Sequence, residues 1–268
     1  MHPMLNIAIR AARKAGNVII KSYENPSSIK VDAKAENDFV TNVDRAAESL
    51  IIETIKKAYP DHTIISEESG IIKGQDSDTQ WIIDPIDGTT NLIKGIPHCS
   101  VSIAVRIKGR TEAAVVYNPM GNELFTASRG QGAQLNGYRI RTNSNVKDLQ
   151  GSVIAIAFPH KMKQYSDCYF NVLEKIFTKC NDFRRNGSAA LDLSYIACGR
   201  FDAFFEIGLK PWDIAAGELI LREAGGIITD FNGGSNYMVS GNIVAGSPKI
   251  VKEFLSLTQN DWPDRLKC

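Results

Sequence analysis

Near the start of the chain, apolar side chains recur at helical spacing, at Leu5, Ala8, Ile9, Ala12, Ile19 and Tyr23, until Asn25-Pro26-Ser27-Ser28 ends the pattern. That spacing lays one apolar stripe along a first amphipathic helix. A charged connector leads through Asn37-Asp38-Phe39-Val40-Thr41-Asn42-Val43 to Asp44. Beyond it Ala47, Leu50, Ile51, Thr54, Ile55 and Ala58 predict a second helix, closed by Tyr59-Pro60. Asp44 falls in its first turn, where an acid suits the helix dipole. The rhythm then changes. Residues 62–66 read as a strand running into Glu67-Glu68-Ser69-Gly70, a polar loop spans 70–80, and Trp81-Ile82-Ile83-Asp84 reads as an apolar strand. Pro85 has no N–H to give a sheet, so this strand is expected to stop there and turn.

Alternation over residues 98–108, with Val101, Ile103, Val105 and Ile107 on one face, then over 112–117 and 123–128, predicts an antiparallel meander. Asn136-Gly137 between short extended runs predicts a hairpin. Polar residues 142–151 follow, and beyond them strands and helices alternate. Residues 152–157, 201–207, 227–231 and 243–245 read as extended, and 165–177, 189–197, 214–224 and 249–257 as helical. The expected fold class is α+β, with an antiparallel-sheet half over 1–145 and a mixed α/β half over 146–268. The tail 259–268, polar apart from Trp262 and Leu266, gives no expectation.

At 268 residues the chain can bury a large core, and 43% hydrophobic with 23% charged residues is ordinary for a globular protein. A formal net charge of +1 gives no global pull towards nucleic acid or an anionic membrane. Five scattered cysteines, Cys99, Cys168, Cys180, Cys198 and Cys268, without a Cys-x-x-Cys pair, read as reduced thiols of a cytosolic protein. With no apolar run of signal-peptide or membrane-span character, the expected location is cytoplasmic. His2, His62, His98 and His160 are too dispersed to form a ligand set.

The chemistry centres on Asp84-Pro85-Ile86-Asp87-Gly88-Thr89-Thr90-Asn91. Two acids are followed by a glycine that lets backbone approach an anion, and Thr90 and Asn91 are expected to cap a following helix. Taken alone, the run is a strand end and a helix cap, and Asp44 is a cap as well. Acids elsewhere change the weighing. Glu67 ends one strand, Glu206 ends another, and Asp213 in Trp212-Asp213-Ile214-Ala215-Ala216-Gly217 starts a helix apolar around most of its circumference. Convergence of such acids without cations raises their pKa values through repulsion, and a divalent ion removes that penalty. Oxygen-only donors favour Mg2+ over Zn2+.

These runs, with Glu67-Glu68-Ser69-Gly70 and Glu223-Ala224-Gly225-Gly226, resemble the inositol monophosphatase family, in the expected order over nearly the whole chain. The resemblance implies a layered αβαβα sugar-phosphatase fold, usually a homodimer, that hydrolyses inositol monophosphates with Mg2+ and a metal-activated water and is inhibited by Li+. It implies that Glu67, Asp84 and the Ile86 carbonyl hold one metal, that Asp84, Asp87 and Asp213 hold a second, and that a weaker third ion sits near Glu67. It further implies that Asp44 and Thr89 orient and deprotonate the water, that the Gly88 and Thr89 amides receive phosphate, and that Asp87, Ala189 and Glu206 contact the sugar ring. Glu68 matches an acid near the metals with a less direct role.

Relatives that cleave fructose bisphosphate or nucleotide bisphosphates share the metal scaffold, so fold alone does not separate the substrates. Residues 1–8 and 184–212 resemble an enterobacterial branch of the family more closely still. That branch is associated with the ribosomal RNA antitermination complex containing NusA and RNA polymerase, and with it ribosome biogenesis. Arg184-Arg185, Lys161 with Lys163, and Arg106-Ile107-Lys108-Gly109-Arg110 are candidate basic patches for such a partner, although each taken alone reads first as a solvated face.

Overall fold

The computed structural model describes residues 3–35, 38–146 and 148–267; His2, Asn37 and Cys268, named above, lie outside them. In chain order the elements are α1 (Pro3–Glu24), β1 (Val31–Ala35), β2 (Asp38–Thr41), α2 (Asn42–Ala58), β3 (His62–Ser66), β4 (Gly70–Ile72), β5 (Asp76–Asp87) and α3 (Thr89–Ile93). Then come β6 (Ser100–Ile107), β7 (Arg110–Asn118), β8 (Glu123–Ser128), β9 (Ala133–Leu135), β10 (Tyr138–Ile140), β11 (Val153–Ile156), α4 (Ser166–Phe177), β12 (Asp182–Arg184) and α5 (Ala189–Ala197). The chain ends with β13 (Ala203–Glu206), α6 (Pro211–Glu223), β14 (Ile227–Thr229), α7 (Tyr237–Ser240), β15 (Ile243–Gly246), α8 (Pro248–Thr258) and α9 (Asp264–Lys267).

Eight strands form one sheet in the order β10-β9-β8-β7-β6-β5-β3-β4, and five form another in the order β12-β11-β13-β15-β14. Successive strand residues face opposite ways, so each sheet supplies two apolar faces. Trp81, Ile83, Val101, Ile103, Val105 and Val115 face α1 and α2, which offer Ala8, Ala12, Ile19, Ala47, Ile51 and Ile55. Their neighbours Ile82, Ala104, Ala114 and Val116 face the other way, onto Leu191 and Leu193 of α5 and Ile214 and Leu219 of α6. The same helices receive Ala155, Phe204 and Ala245 from the five-stranded sheet. That sheet's far side, with Ile154, Phe205 and Val244, packs on Tyr169 and Val172 of α4 and Val251 and Phe254 of α8. Helix pair, sheet, helix pair, sheet, helix pair is the expected αβαβα layering. The two central helices lie close because position 217 is glycine: a Cβ there would come within 2.7 Å of the Leu193 Cβ.

Three expectations need correction. The charged connector holds the antiparallel β1–β2 hairpin, whose Val31 and Phe39 are exposed while Val40 is buried, so no repeating apolar spacing marks it. The polar loop 70–80 contains β4 and the start of β5; Asp76 Oδ1 accepts the N–H groups of Asp78 (2.8 Å) and Thr79 (3.1 Å), which organises polar residues into an extended start. Third, the strand does not stop at Pro85. It continues to Asp87 through a bulge, since Asp84 pairs with Ser102 and Asp87 with Ser100, leaving one more residue on β5 than on β6. A bulge is where a sheet tolerates a residue with no N–H to donate. The tail, which carried no expectation, is structural: Trp262 and Leu266 are buried, and the Trp262 ring stacks on Phe231 at 4.0 Å.

The Asn136-Gly137 hairpin forms as expected, with both residues at positive φ (51° and 84°). Cys99, Cys168, Cys180 and Cys198 are free thiols. No helix among the described residues is long and apolar enough to cross a membrane.

Candidate active site

β3 runs parallel to β5 with Ser66 opposite Ile83, so both strands deliver their acids to the same end. The Glu67 N–H donates to the Ile83 carbonyl (3.2 Å), which sets Glu67 beside Asp84. The bulge then turns Asp87 into the same space. From the opposite side, β13 ends at Glu206 and α6 begins with Asp213 in its first turn. These side chains line one cleft of about 410 Å³, together with Ile86, Gly88, Thr89, Ala189, Asp192, Arg185 and Lys161.

One carboxylate oxygen each from Asp84, Asp87 and Asp213 lies within 4.8 Å of the others. Asp84 is almost wholly buried, and its Oδ1 accepts the Ile86 N–H at 2.9 Å. Burial holds its pKa far above the usual carboxylate range, and repulsion from Glu67, Asp87, Asp213 and Asp44 adds to that. Asp213 is raised likewise by burial and then by Asp87, although its Oδ2 accepts the Lys210 N–H at 2.7 Å. Asp87 is pushed by burial to about 6, with relief from Ser188 Oγ (2.7 Å) and the Ala190 N–H (2.8 Å), both of which donate to its Oδ2. Burial, then Asp213 and Asp87, raise Glu206. The three aspartates offer only oxygen and repel one another, so the donor set fits a hard divalent cation. Glu67 stands just outside that tight group, lining the cleft and acting on Asp84 and Asp213 through its charge.

The second part of the site joins α2 to the turn after β5. Asp44, 1% exposed, accepts from the Thr41 N–H and hydroxyl at the helix start. Its other oxygen lies 2.8 Å from Thr89 Oγ1, which also stands 3.0 Å from the Ile86 carbonyl. Burial raises the Asp44 pKa, partly offset by the Thr41 and Thr89 hydrogen bonds. Gly88 has φ +101°, and a Cβ there would sit 3.1 Å from the Gly187 and His98 carbonyl oxygens. Only glycine suits both the dihedral and the space.

The expected cap by Thr90 and Asn91 does not form. Gly88 is the N-cap of α3 with no side-chain cap bond, and Asn91 Nδ2 instead donates to the carbonyls of His98 (2.7 Å) and Asn186 (2.8 Å). That ties loop 185–188 to the turn. Sequence reasoning passed over Ser188, and also over Asp192, which is buried in the cleft wall, accepts from Asn186 Nδ2 at 2.8 Å and is raised by burial to about 8. A polar residue inside the apolar run Ala189-Ala190-Leu191-Asp192-Leu193 was the available signal. Of the basic residues considered, Lys161 and Arg185 line the cleft, whereas Arg184 pairs with Asp182 on the exposed β12 edge. Arg106 donates to the Gly109 carbonyl, and Arg110 pairs with Glu112 at 2.7 Å on the opposite sheet.

Five alternating layers, with an all-oxygen acidic cleft where strands of both sheets end, define a class of metal-dependent phosphatases. Residues 1–261 match the inositol monophosphatase family, and the chain belongs to it. It is 65% identical to Nus factor SuhB of Escherichia coli (strain K12), over the full length of both chains. Among solved structures, the extragenic suppressor protein SuhB of Bartonella henselae is 40% identical, with TM-score 0.92 over 95% of this chain and 98% of that one. An inositol monophosphatase from Anabaena (Nostoc) sp. is 33% identical, with TM-score 0.85 over 97% and 96%.

Proposed function

We propose that this phosphatase hydrolyses inositol monophosphates to inositol and phosphate, using Mg2+ and subject to inhibition by Li+. One observation carries the reading: Asp84, Asp87 and Asp213 bring carboxylate oxygens within 4.8 Å of one another, beside the Asp44–Thr89 pair. Glu67, Asp84 and the Ile86 carbonyl would hold one ion, Asp84, Asp87 and Asp213 a second, and a weaker third would sit near Glu67. When bound there, Mg2+ neutralises phosphoryl charge and lowers the pKa of a water towards neutrality.

The chain's own groups do the rest. Thr89 Oγ1, held between Asp44 and the Ile86 carbonyl, orients the attacking water, and Asp44 receives the proton. A buried carboxylate with a raised pKa is a better base than a solvated one. The Gly88 and Thr89 amides receive the phosphoryl oxygens at a turn no Cβ obstructs. Asp87, Ala189 and Glu206 meet the ring hydroxyls. Attack in line with the leaving oxygen needs no phosphoenzyme. In this reading residues 1–145 supply most metal ligands, and 146–268 supply Asp213 and the sugar contacts. The enzyme acts as a homodimer in the cytoplasm.

The test is phosphate release from inositol 1-phosphate against Mg2+ concentration, repeated with Li+ and with fructose bisphosphate and nucleotide bisphosphates alongside. Mg2+-dependent, Li+-sensitive release that favours the inositol ester is expected. A clear preference for another ester would reassign the substrate, and no release at any Mg2+ concentration would overturn the reading.

A second role is supported by the 65% identity to a protein named as a Nus factor. In this reading the chain also binds NusA and RNA polymerase through its surface. Capture of NusA by wild type and by Asp87→Asn alike is expected. Loss of capture together with catalysis would count against a surface independent of the cleft.

A further inference from the structure

Glu48 lies one turn beyond Asp44 on α2, is only 3% exposed, and has no place in the chemistry above. Its carboxylate reaches the turn between β3 and β4 and collects every donor that turn points at it. Oε2 accepts from Ser66 Oγ, from the Glu68 N–H (3.1 Å) and from the Ser69 N–H (3.4 Å), while Oε1 accepts from Ser69 Oγ. The four residues 66–69 are thus anchored to α2 on one side. On the other, the Glu67 N–H is held by the Ile83 carbonyl at 3.2 Å. Ser66 is wholly buried and faces Glu48, whereas Glu67, next in the chain, lines the cleft. Four donors converging on one acceptor-only group is far more than closing a turn requires.

We infer that Glu48 is a positioning residue for the proposed metal site, fixing the Ser66–Ser69 turn so that Glu67 is presented at a set distance from Asp84. The inference rests on the divalent-cation reading of the cleft. Its physical content is that α2 holds both flanks of the site from one helix face: Asp44 holds Thr89, and Glu48 holds the turn bearing Glu67. Removing the carboxylate strands the buried Ser66 hydroxyl and two N–H groups, so the turn relaxes. Groups that orient metal ligands in this way typically change affinity 10–100-fold when removed.

The test measures Mg2+ binding by titration calorimetry and, separately, turnover against Mg2+, for wild type, Glu48→Ala, Glu48→Gln and the Ser66→Ala/Ser69→Ala double variant. Glu48→Ala is expected to weaken Mg2+ binding about 10–100-fold, with kcat at saturating Mg2+ little changed. Glu48→Gln, whose amide keeps an acceptor and lets the Ser69 hydroxyl reverse its role, should recover most of the affinity. If Glu48→Ala does not fold, the double serine variant takes its place, since it keeps the carboxylate and removes two donors. A folded Glu48→Ala or double variant with wild-type Mg2+ affinity overturns the inference and leaves the site reading standing. Wild type that binds no Mg2+ overturns both.

Discussion

Replacing Asp87 by Asn should stabilise the metal-free protein while abolishing the chemistry. The Asp87 carboxyl is raised from the ordinary 3.8 to about 6, chiefly by burial. Each tenfold change in proton affinity is worth about 1.4 kcal/mol, so at neutral pH the charged group costs the empty fold on the order of 3 kcal/mol. Asn is nearly isosteric, and its oxygen can still accept from Ser188 Oγ and the Ala190 N–H. The value of about 6 already includes the charged form's stronger bonds to these two donors, so nothing further is subtracted for them. The gain of roughly 3 kcal/mol corresponds to a melting temperature about 6–12 °C higher for a chain of this size.

The sign has a pH signature. A carboxyl whose folded pKa is raised carries no penalty below its unfolded value and the full penalty above its folded one. The advantage of Asp87→Asn should therefore be absent near pH 3.8, grow as pH rises, and level off above about 6. The assay is thermal unfolding in EDTA across that range, repeated with Mg2+, beside turnover and Mg2+ binding. With Mg2+ the order should reverse, because wild type gains binding energy and the variant does not. The reasoning fails if metal-free Asp87→Asn melts below wild type at neutral pH, or if it keeps near-normal turnover at low Mg2+.

Thr89→Val preserves shape but loses the hydroxyl between Asp44 and the Ile86 carbonyl, so turnover should fall about 10²–10⁴-fold with Mg2+ affinity little altered; equal damage to both would argue against a water-orienting role. His62 Nδ1 accepts from Trp81 Nε1 at 3.0 Å, and burial lowers its pKa from 6.5. Its neutral form therefore contributes stability that is present above pH 6.5 and lost as pH falls below it. Urea unfolding should show the advantage of wild type over His62→Gln shrinking from pH 8 to pH 5.5, and a constant difference would refute this. Trp262→Ala, which removes a ring 2% exposed and stacked on Phe231, should cost about 3–5 kcal/mol in the same assay, whereas a loss below about 1 kcal/mol would mean the tail is dispensable.

What could be read from the chain beforehand divides along a physical line. Elements that carry their own periodicity, such as α1, β6 with Val101, Ile103 and Val105, or the Asn136-Gly137 turn, are legible because local spacing reports a buried face. The β1–β2 hairpin is not, because Val31 and Phe39 are exposed and the buried Val40 beside them gives no repeating spacing. The strand past Pro85 is not either, because whether proline ends a strand or sits in a bulge is decided by the partner, here Ser100 and Ser102 of β6. The site follows the same division. Asp84, Asp87 and Asp213 stood out because acids at element ends beside apolar runs need a reason to be there. The groups that hold them in place did not, since their partners are remote in sequence. Ser188 shows why. As the residue before α5 it is legible as a helix cap, and its Oγ does accept the Leu191 N–H at 3.4 Å. The same hydroxyl donates to Asp87, 101 positions earlier. A cap satisfies the local account completely, so nothing local points to the second bond. Glu48 is the stronger case: it reads as one more polar residue on an amphipathic helix, and its function is visible only once β3 lies alongside α2.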